Sequence, residues 1–199
     1  PDLGSLTAGA VYSVVFGFVF VESGLLVGFL LPGDTILFGA GLVSAEPRSG
    51  VDLSVLVVGA FVAAVSGDSV GYATGSRLGR AWLERRVAAG RLDPRHLRRA
   101  EQFYERFGWW AVVAARWVPW VRTFTPILAG TSRMGYGRFL SANVVGALAW
   151  AVGLPVLGHL AASDPTLRWT AYALAALFVG GSFVLGVAGW VRRRRAAER

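Results

Sequence analysis

The chain begins with an apolar block about twice the length of a membrane-spanning helix, and no polar loop divides it. The block runs from about Leu3 to Ser44 and contains Leu31-Pro32-Gly33-Asp34 near its middle. Proline removes a backbone donor and glycine loosens the backbone. We therefore predict that residues 3–45 enter a membrane, break at Pro32 and Gly33, and turn back. A plain two-helix hairpin is the alternative.

Composition supports a membrane protein. Hydrophobic residues make up 54% of the chain and charged residues only 16%, against about 25% charged in a typical soluble domain. The chain has no cysteine, which excludes disulfides, thiolate catalysis and cysteine-ligated metals. Its two histidines, His96 and His159, lie far apart in sequence. We therefore expect no metal site and no cofactor.

The excess positive charge lies in two places. Residues 80–106 contain eight arginines and four acids, and residues 192–199 contain five arginines and one acid, whereas the rest of the chain is balanced. Basic segments mark the cytoplasmic side of bacterial inner-membrane proteins. We therefore expect a multi-pass protein of the inner membrane whose basic loop and C-terminus are cytoplasmic. The flanking segments are too apolar for a protein that binds nucleic acid.

A second unusual apolar block covers Gly108–Gly130. It contains Arg116 and Arg122, and a straight spanning helix would not place two arginines at that depth without a reason. It also contains helix-disrupting residues, which predict a second re-entrant hairpin over residues 107–131. These predicted breaks are Pro119, Pro126 and Gly130.

The segments together predict an all-α integral membrane fold with two opposed re-entrant helical hairpins and about three transmembrane helices. We expect one membrane domain over residues 1–191 and an arginine tail at 192–199. Its parts are a hairpin at 3–45, a transmembrane helix at 51–79, a cytoplasmic amphipathic segment at 80–106, a hairpin at 107–131, and transmembrane helices at 139–161 and 170–191. Four glycines spaced four apart, Gly67 to Gly79, form a strip for close helix packing or for a homo-oligomer contact.

Five ionisable residues lie within the apolar blocks: Glu22, Asp34, Asp68, Arg116 and Arg122. A continuous helix would separate Glu22 from Asp34 by about 18 Å, but a break at Pro32 and Gly33 removes that separation. Guanidinium groups bind phosphate bidentately, whereas a carboxyl in a low-dielectric cavity favours proton uptake. Two broken segments in corresponding halves of a membrane protein point to a transport site.

Other interpretations stay open at this point. The ionisable residues could be ion pairs that only hold the hairpins together. We expect Asp68 in particular to be structural, paired with an arginine. An enzyme is disfavoured, and no catalytic residue is assigned, because Ser23, Ser66 and Thr125 have no histidine near them in a recognisable pattern.

Three motifs resemble a known family. FVESGLLVGFLLPGDTILFGAGLVS (Phe20–Ser44) is similar to the first hairpin of the DedA family, also called SNARE-associated or VTT-domain proteins. SGDSVGYATGSRLG (Ser66–Gly79) resembles its G-D-x-x-G-Y-x-x-G helix. Ala115–Trp150 resembles the signature R-[FW]-x-P-x-x-R-x-x-x-P-x-x-A-G followed by a Phe, an Asn and a Trp. Trp117 departs from it, since Phe or Tyr is commoner there. The resemblance covers roughly residues 10–190.

The resemblance implies a flippase that returns undecaprenyl phosphate, or a similar polyprenyl phosphate, across the inner membrane with the help of proton-motive force. The family's functional acids match Glu22 and Asp34, and its functional arginines match Arg116 and Arg122. The arginines would bind the phosphate, and the acids would couple transport to protons. Asp68 and Asn143 are expected to support the site. The alternatives are a general phospholipid scramblase and a proton-coupled transporter of small solutes or ions.

Overall fold

The computed structural model describes residues 3–24, 33–91, 93–163 and 169, and this part of the chain is helical without a strand. Turns of π-helix at Gly75–Gly79 and Leu148–Val152 join α3 to α4 and α7 to α8. The resulting helices, Leu53–Ala88 and Tyr136–Ser163, are long and apolar enough to cross a membrane. The α-helices are α1 (Leu3–Gly24), α2 (Gly33–Ser44), α3 (Leu53–Thr74), α4 (Arg80–Ala88), α5 (Pro94–Ala115), α6 (Pro119–Thr131), α7 (Tyr136–Ala147) and α8 (Gly153–Ser163).

The first apolar block forms two helices. α1 ends at Gly24, and α2 begins at Gly33, one of the two residues at the predicted break. Pro32, the other, lies outside the described residues. The predicted span at 170–191 and the arginine tail at 192–199 also lie outside them. Whether either hairpin re-enters the membrane stays a prediction.

The helix that forms the first arm of the second apolar block begins earlier than predicted, and the block breaks fewer times than predicted. Its first arm belongs to α5, which starts at Pro94 within the expected surface segment and ends at Ala115. The turn of residues 116–118 follows, and α6 begins at Pro119. Proline is favoured at this first helical position because its missing N–H would have no intrahelical partner there.

Pro126 and Gly130 do not break the hairpin, and that expectation was wrong. Both lie inside α6, which continues to Thr131. The Thr125 hydroxyl, next to the proline, donates to the Val121 carbonyl one turn earlier at 2.7 Å. Packing and such hydroxyls allow proline within apolar helices. The local tendency of proline and glycine to end a helix is therefore overridden here by contacts with the neighbouring helices.

Gly130 serves close packing instead of a break. A Cβ atom at Gly130 would overlap the backbone of Tyr72 on α3, and one at Gly75 would overlap the backbone of Ile127 on α6. The two helices thus approach through reciprocal glycines. The other members of the glycine strip face α1 or α6, so the strip serves contacts within the chain. These contacts join Gly67 to Phe20, Gly71 to Pro126, and Gly79 to Thr131.

The helices pack in two groups. α1 lies along α3, and α2 lies along α8, around a core that includes Val19, Leu37 and Leu56. α5 packs on α7 around a second core that contains Phe139. One face of α3 instead exposes Val55, Val58 and Val62. An apolar face that none of the described helices covers, on a helix of this length, suits contact with lipid.

Candidate functional site

The ends of four helices converge on the middle of α3, and the ionisable residues of the apolar blocks lie at these ends. Glu22 lies in the last turn of α1 and Asp34 in the first turn of α2. Arg116 follows the end of α5, and Arg122 lies near the start of α6. Asp68 comes from α3 itself. The structure thus brings together all five residues that the sequence singled out.

Arg122 binds two carboxylates from the first apolar block. Its Nη2 donates to Glu22 Oε1, and its Nη1 donates to Asp34 Oδ1 at 2.9 Å. The Arg122 and Asp34 side chains are 11% and 12% exposed, and Glu22 is fully buried at 3%. Pairing of this kind is required for charges at such depth. We call Arg122, Glu22 and Asp34 the Arg122 cluster.

Arg116 has different partners. Its Nη1 donates to Asp68 Oδ2 and also to Asn143 Oδ1, the latter at 2.9 Å. Asn143 is held in turn, because its amide nitrogen donates to the Val65 carbonyl at 3.3 Å. The Nε and Nη2 atoms of Arg116 are buried and have no hydrogen-bond partner among the described residues. We call Arg116, Asp68 and Asn143 the Arg116 cluster.

Trp150 connects the two clusters. Its indole N–H donates to Asp34 Oδ1 at 2.6 Å. The same ring lies under both guanidinium groups, 4.4 Å from the Cζ of Arg122 and 5.3 Å from that of Arg116. Sequence analysis gave Trp150 no role, because a tryptophan in an apolar helix is ordinary. The available sequence signal was its place as the Trp at the end of the third motif, Ala115–Trp150. In the structure it lies on the π-turn Leu148–Val152, and such turns often occur at functional sites.

A small cavity separates the two arginines, and it has room for about one water molecule, about 10 Å³. A phosphate group is larger than this, so it could enter only if side chains moved. Two arginines against three acids leave one negative charge when every group is ionised. The cavity is lined by Asp68, Val112, Arg116, Arg122, Thr125, Pro126, Phe139 and Asn143.

Two observations on the described residues bear on metal binding and on hydrolysis. Within the described ranges, three or more His, Cys, Asp or Glu side chains do not come together in a way that could hold a metal ion. Ser44 lies 2.9 Å from the Nδ1 of His159. Its hydroxyl, however, donates to the Gly41 carbonyl at 2.7 Å, so it is not oriented to lose its proton to that histidine. The contact joins α2 to α8.

The domain match and the relatives of this chain all point to the same protein family. The VTT domain matches residues 31–160. The chain is 34% identical to Protein DedA of Escherichia coli (strain K12) over 189 residues, which cover 95% of this chain and 86% of that protein. It is 38% identical to an uncharacterized membrane protein of Mycobacterium tuberculosis (strain ATCC 25618 / H37Rv) over 164 residues, 81% of this chain and 71% of the relative.

A further relative, an uncharacterized membrane protein of Mycobacterium leprae (strain TN), is 35% identical over 161 residues, 81% of this chain and 71% of the relative. No solved structure matches the chain significantly. The domain match and the relatives agree with the motifs of the two apolar blocks. The chain is a membrane protein and belongs to the DedA family of VTT-domain proteins.

Proposed function

We propose that this protein carries undecaprenyl phosphate, or a similar polyprenyl phosphate, across the bacterial inner membrane. The observation that carries the proposal is the meeting of Arg116 and Arg122 at one cavity inside a membrane protein. Two guanidinium groups in an apolar setting suit a phosphate monoester better than a zwitterionic or uncharged headgroup. The isoprenoid tail would stay in the lipid and pass through a lateral opening between helices.

The carboxylates act as internal substitutes for the phosphate. Because the cavity between the arginines holds about one water, the phosphate has to displace Glu22, Asp34 or Asp68 from an arginine. The two N–H donors of Arg116 that lack partners among the described residues offer the first contact. The phosphate then takes over Arg122 as its carboxylates withdraw. An arginine is never left buried without an anion, which would cost several kcal/mol.

Protons couple to this exchange through charge balance. The five ionisable groups carry one net negative charge when all are ionised, and a bound phosphate adds more. Proton uptake by a carboxyl reduces that excess, and release on the other side restores the ion pairs that expel the lipid. The proton-motive force across the inner membrane would thereby drive the cycle. The basic residues 80–106 and 192–199 would face the cytoplasm, as the positive-inside rule indicates.

Native mass spectrometry of the purified protein with undecaprenyl phosphate tests the site. The wild type should retain the lipid, and Arg116→Ala/Arg122→Ala should lose it. The matched control is Arg85→Ala/Arg86→Ala, which removes the same charge from the exposed face of α4. This control should bind like the wild type. A phospholipid of similar mass without a phosphate monoester should not compete.

Three results would contradict the proposal. Equal loss in both double variants would assign binding to surface charge. Equal retention in all proteins, or none in any, would favour a general phospholipid scramblase or a proton-coupled transporter of small solutes, and would leave the two arginines as structural partners of the acids.

A further inference from the structure

We infer that Trp150 is a positioning residue that confines proton exchange to Glu22, because its indole N–H keeps Asp34 bound to Arg122. The inference rests on the proposed function, since it assigns different roles to the two acids of the Arg122 cluster. It stands on the hydrogen bonds of these side chains and on the space around the Glu22 carboxyl.

Asp34 accepts hydrogen bonds from two donors. Its Oδ1 accepts from Arg122 Nη1 at 2.9 Å and from Trp150 Nε1 at 2.6 Å. An indole N–H can only donate, and an arginine cannot give up its proton in a protein. Asp34 thus has two donors directed at its carboxylate, whereas Glu22 has one. Donation to the charged form of a carboxyl favours that form.

Glu22 is bound at only one oxygen. Its Oε1 accepts from Arg122, whereas its Oε2 is buried and has no hydrogen-bond partner among the described residues. A proton on Oε2 breaks no hydrogen bond, and it removes the cost of a buried anion with an unpaired oxygen. Gly33 lies directly against this oxygen, and only a residue without a side chain leaves room for it, since a Cβ at Gly33 would overlap Glu22 Oε2. Glu22 has one donor where Asp34 has two, and it is the more deeply buried acid, so we assign proton exchange in the Arg122 cluster to Glu22.

Among the described residues, few charged groups lie near Glu22. Asp34 faces it from α2 and Arg122 from α6, while Arg116 and the Asp68 of α3 lie beyond Arg122. The neighbouring residues 25–32, Leu-Leu-Val-Gly-Phe-Leu-Leu-Pro, contain no titratable side chain. Asp68 is engaged by Arg116.

Trp150 also holds the arginines while the proton moves. Its ring lies 4.4 Å from the Arg122 guanidinium and 5.3 Å from that of Arg116. A tryptophan face attracts a cation without competing for its N–H donors. When Glu22 is neutral, Arg122 keeps Asp34 and the ring, so it stays in place for the phosphate. The Trp150 ring therefore holds the guanidinium groups and its N–H holds Asp34, and the two effects can be tested separately.

Infrared difference spectroscopy of the protein in lipid nanodiscs, titrated with pH and without polyprenyl phosphate, tests this assignment. A protonated carboxyl gives a band distinct from a carboxylate. The wild type should show one buried carboxyl that takes up a proton, and its band should be lost in Glu22→Gln and kept in Asp34→Asn. Trp150→Phe keeps a ring and removes the N–H, so a second carboxyl band should appear. That band should be lost in Trp150→Phe/Asp34→Asn.

The matched control is Trp109→Phe, because the Trp109 indole donates at 3.0 Å to Ser141, which belongs to neither cluster. Its spectrum should equal that of the wild type. A wild-type band lost in Asp34→Asn, no wild-type band, or an unchanged spectrum in Trp150→Phe would overturn the inference. The comparison of Glu22→Gln with Asp34→Asn remains decisive if Trp150→Phe fails to fold. Because no polyprenyl phosphate is added, a failure of lipid binding in native mass spectrometry would contradict the proposed function alone.

Discussion

Arg116 and Arg122 are six residues apart and share one cavity, yet their environments differ. Arg122 is bound by two carboxylates, whereas Arg116 has one carboxylate, one amide and two N–H donors without a partner among the described residues. Helix position explains part of the difference. A cation is favoured after the end of α5, where Arg116 lies, and disfavoured in the first turn of α6, where Arg122 lies. Arg122 therefore needs more negative charge than Arg116 does.

The site therefore has one arginine, Arg122, that is held by two carboxylates, and another, Arg116, that still has N–H groups without a partner among the described residues. The Arg122 cluster closes the site through the first apolar block, since its acids lie on α1 and α2. The Arg116 cluster belongs to α3, α7 and the turn of residues 116–118. An incoming anion would meet Arg116 first and would reach Arg122 only by separating it from Glu22 and Asp34. Substitutions in the Arg122 cluster should therefore mainly reduce stability, whereas substitutions in the Arg116 cluster should mainly weaken lipid binding.

The largest effect on stability is expected from Arg122→Ala. It leaves Glu22 and Asp34 buried without their shared cation, and breaking a buried ion pair costs about 3–5 kcal/mol. Thermal unfolding of the detergent-solubilised protein measures this. Adding Glu22→Gln and Asp34→Asn to the same chain should recover part of the loss, because the unpaired charges are removed. Equal stability of Arg122→Ala and wild type would mean that the cluster is not formed in the folded protein.

A smaller loss is expected when α6 is moved relative to α3. Gly130→Ala places a methyl group against the backbone of Tyr72 and Ser76, and overpacking of this kind costs about 1–3 kcal/mol. Since Arg122 is carried by α6 and Arg116 is not, the variant should weaken the Arg122 cluster more. Gly39→Ala is the control, because a Cβ there meets nothing within 4 Å. The same unfolding temperature for both variants would contradict this packing.

The smallest of the three losses is expected from Asn143→Ala. It removes one acceptor from Arg116, and a lost hydrogen bond to a charged group is worth about 1.5–3 kcal/mol before water enters the space. The cavity beside Asn143 can supply that water, which places the effect at the low end of the range. Lipid binding should weaken through Arg116 while the Glu22 infrared band is unchanged. A shift of that band would show that the two clusters are coupled.

The residues themselves predicted a helical membrane protein and a break at Pro119, because apolar block length and proline act locally; the structure has a turn there, and α6 begins at this proline. They also identified the five buried ionisable groups, since charges are costly in apolar segments. The pairing could not be read from the sequence. Which acid meets which arginine depends on how α1, α2 and α3 pack on α6. Trp150 was missed for the same reason, as a π-turn changes which face of a helix a side chain occupies. Pro126 and Gly130 were wrongly predicted to break the hairpin, because their roles are set by contacts with neighbouring helices.

The most direct test of the central claim is translocation in proteoliposomes. A fluorescent polyprenyl phosphate is placed in both leaflets, and a membrane-impermeant quencher reports the fraction that reaches the outer leaflet. We predict rapid exchange with the wild type, loss of exchange with Arg116→Ala and with Arg122→Ala, and exchange as in the wild type with Arg85→Ala/Arg86→Ala. Exchange by Arg116→Ala and Arg122→Ala at the wild-type rate would contradict a phosphate site at these arginines.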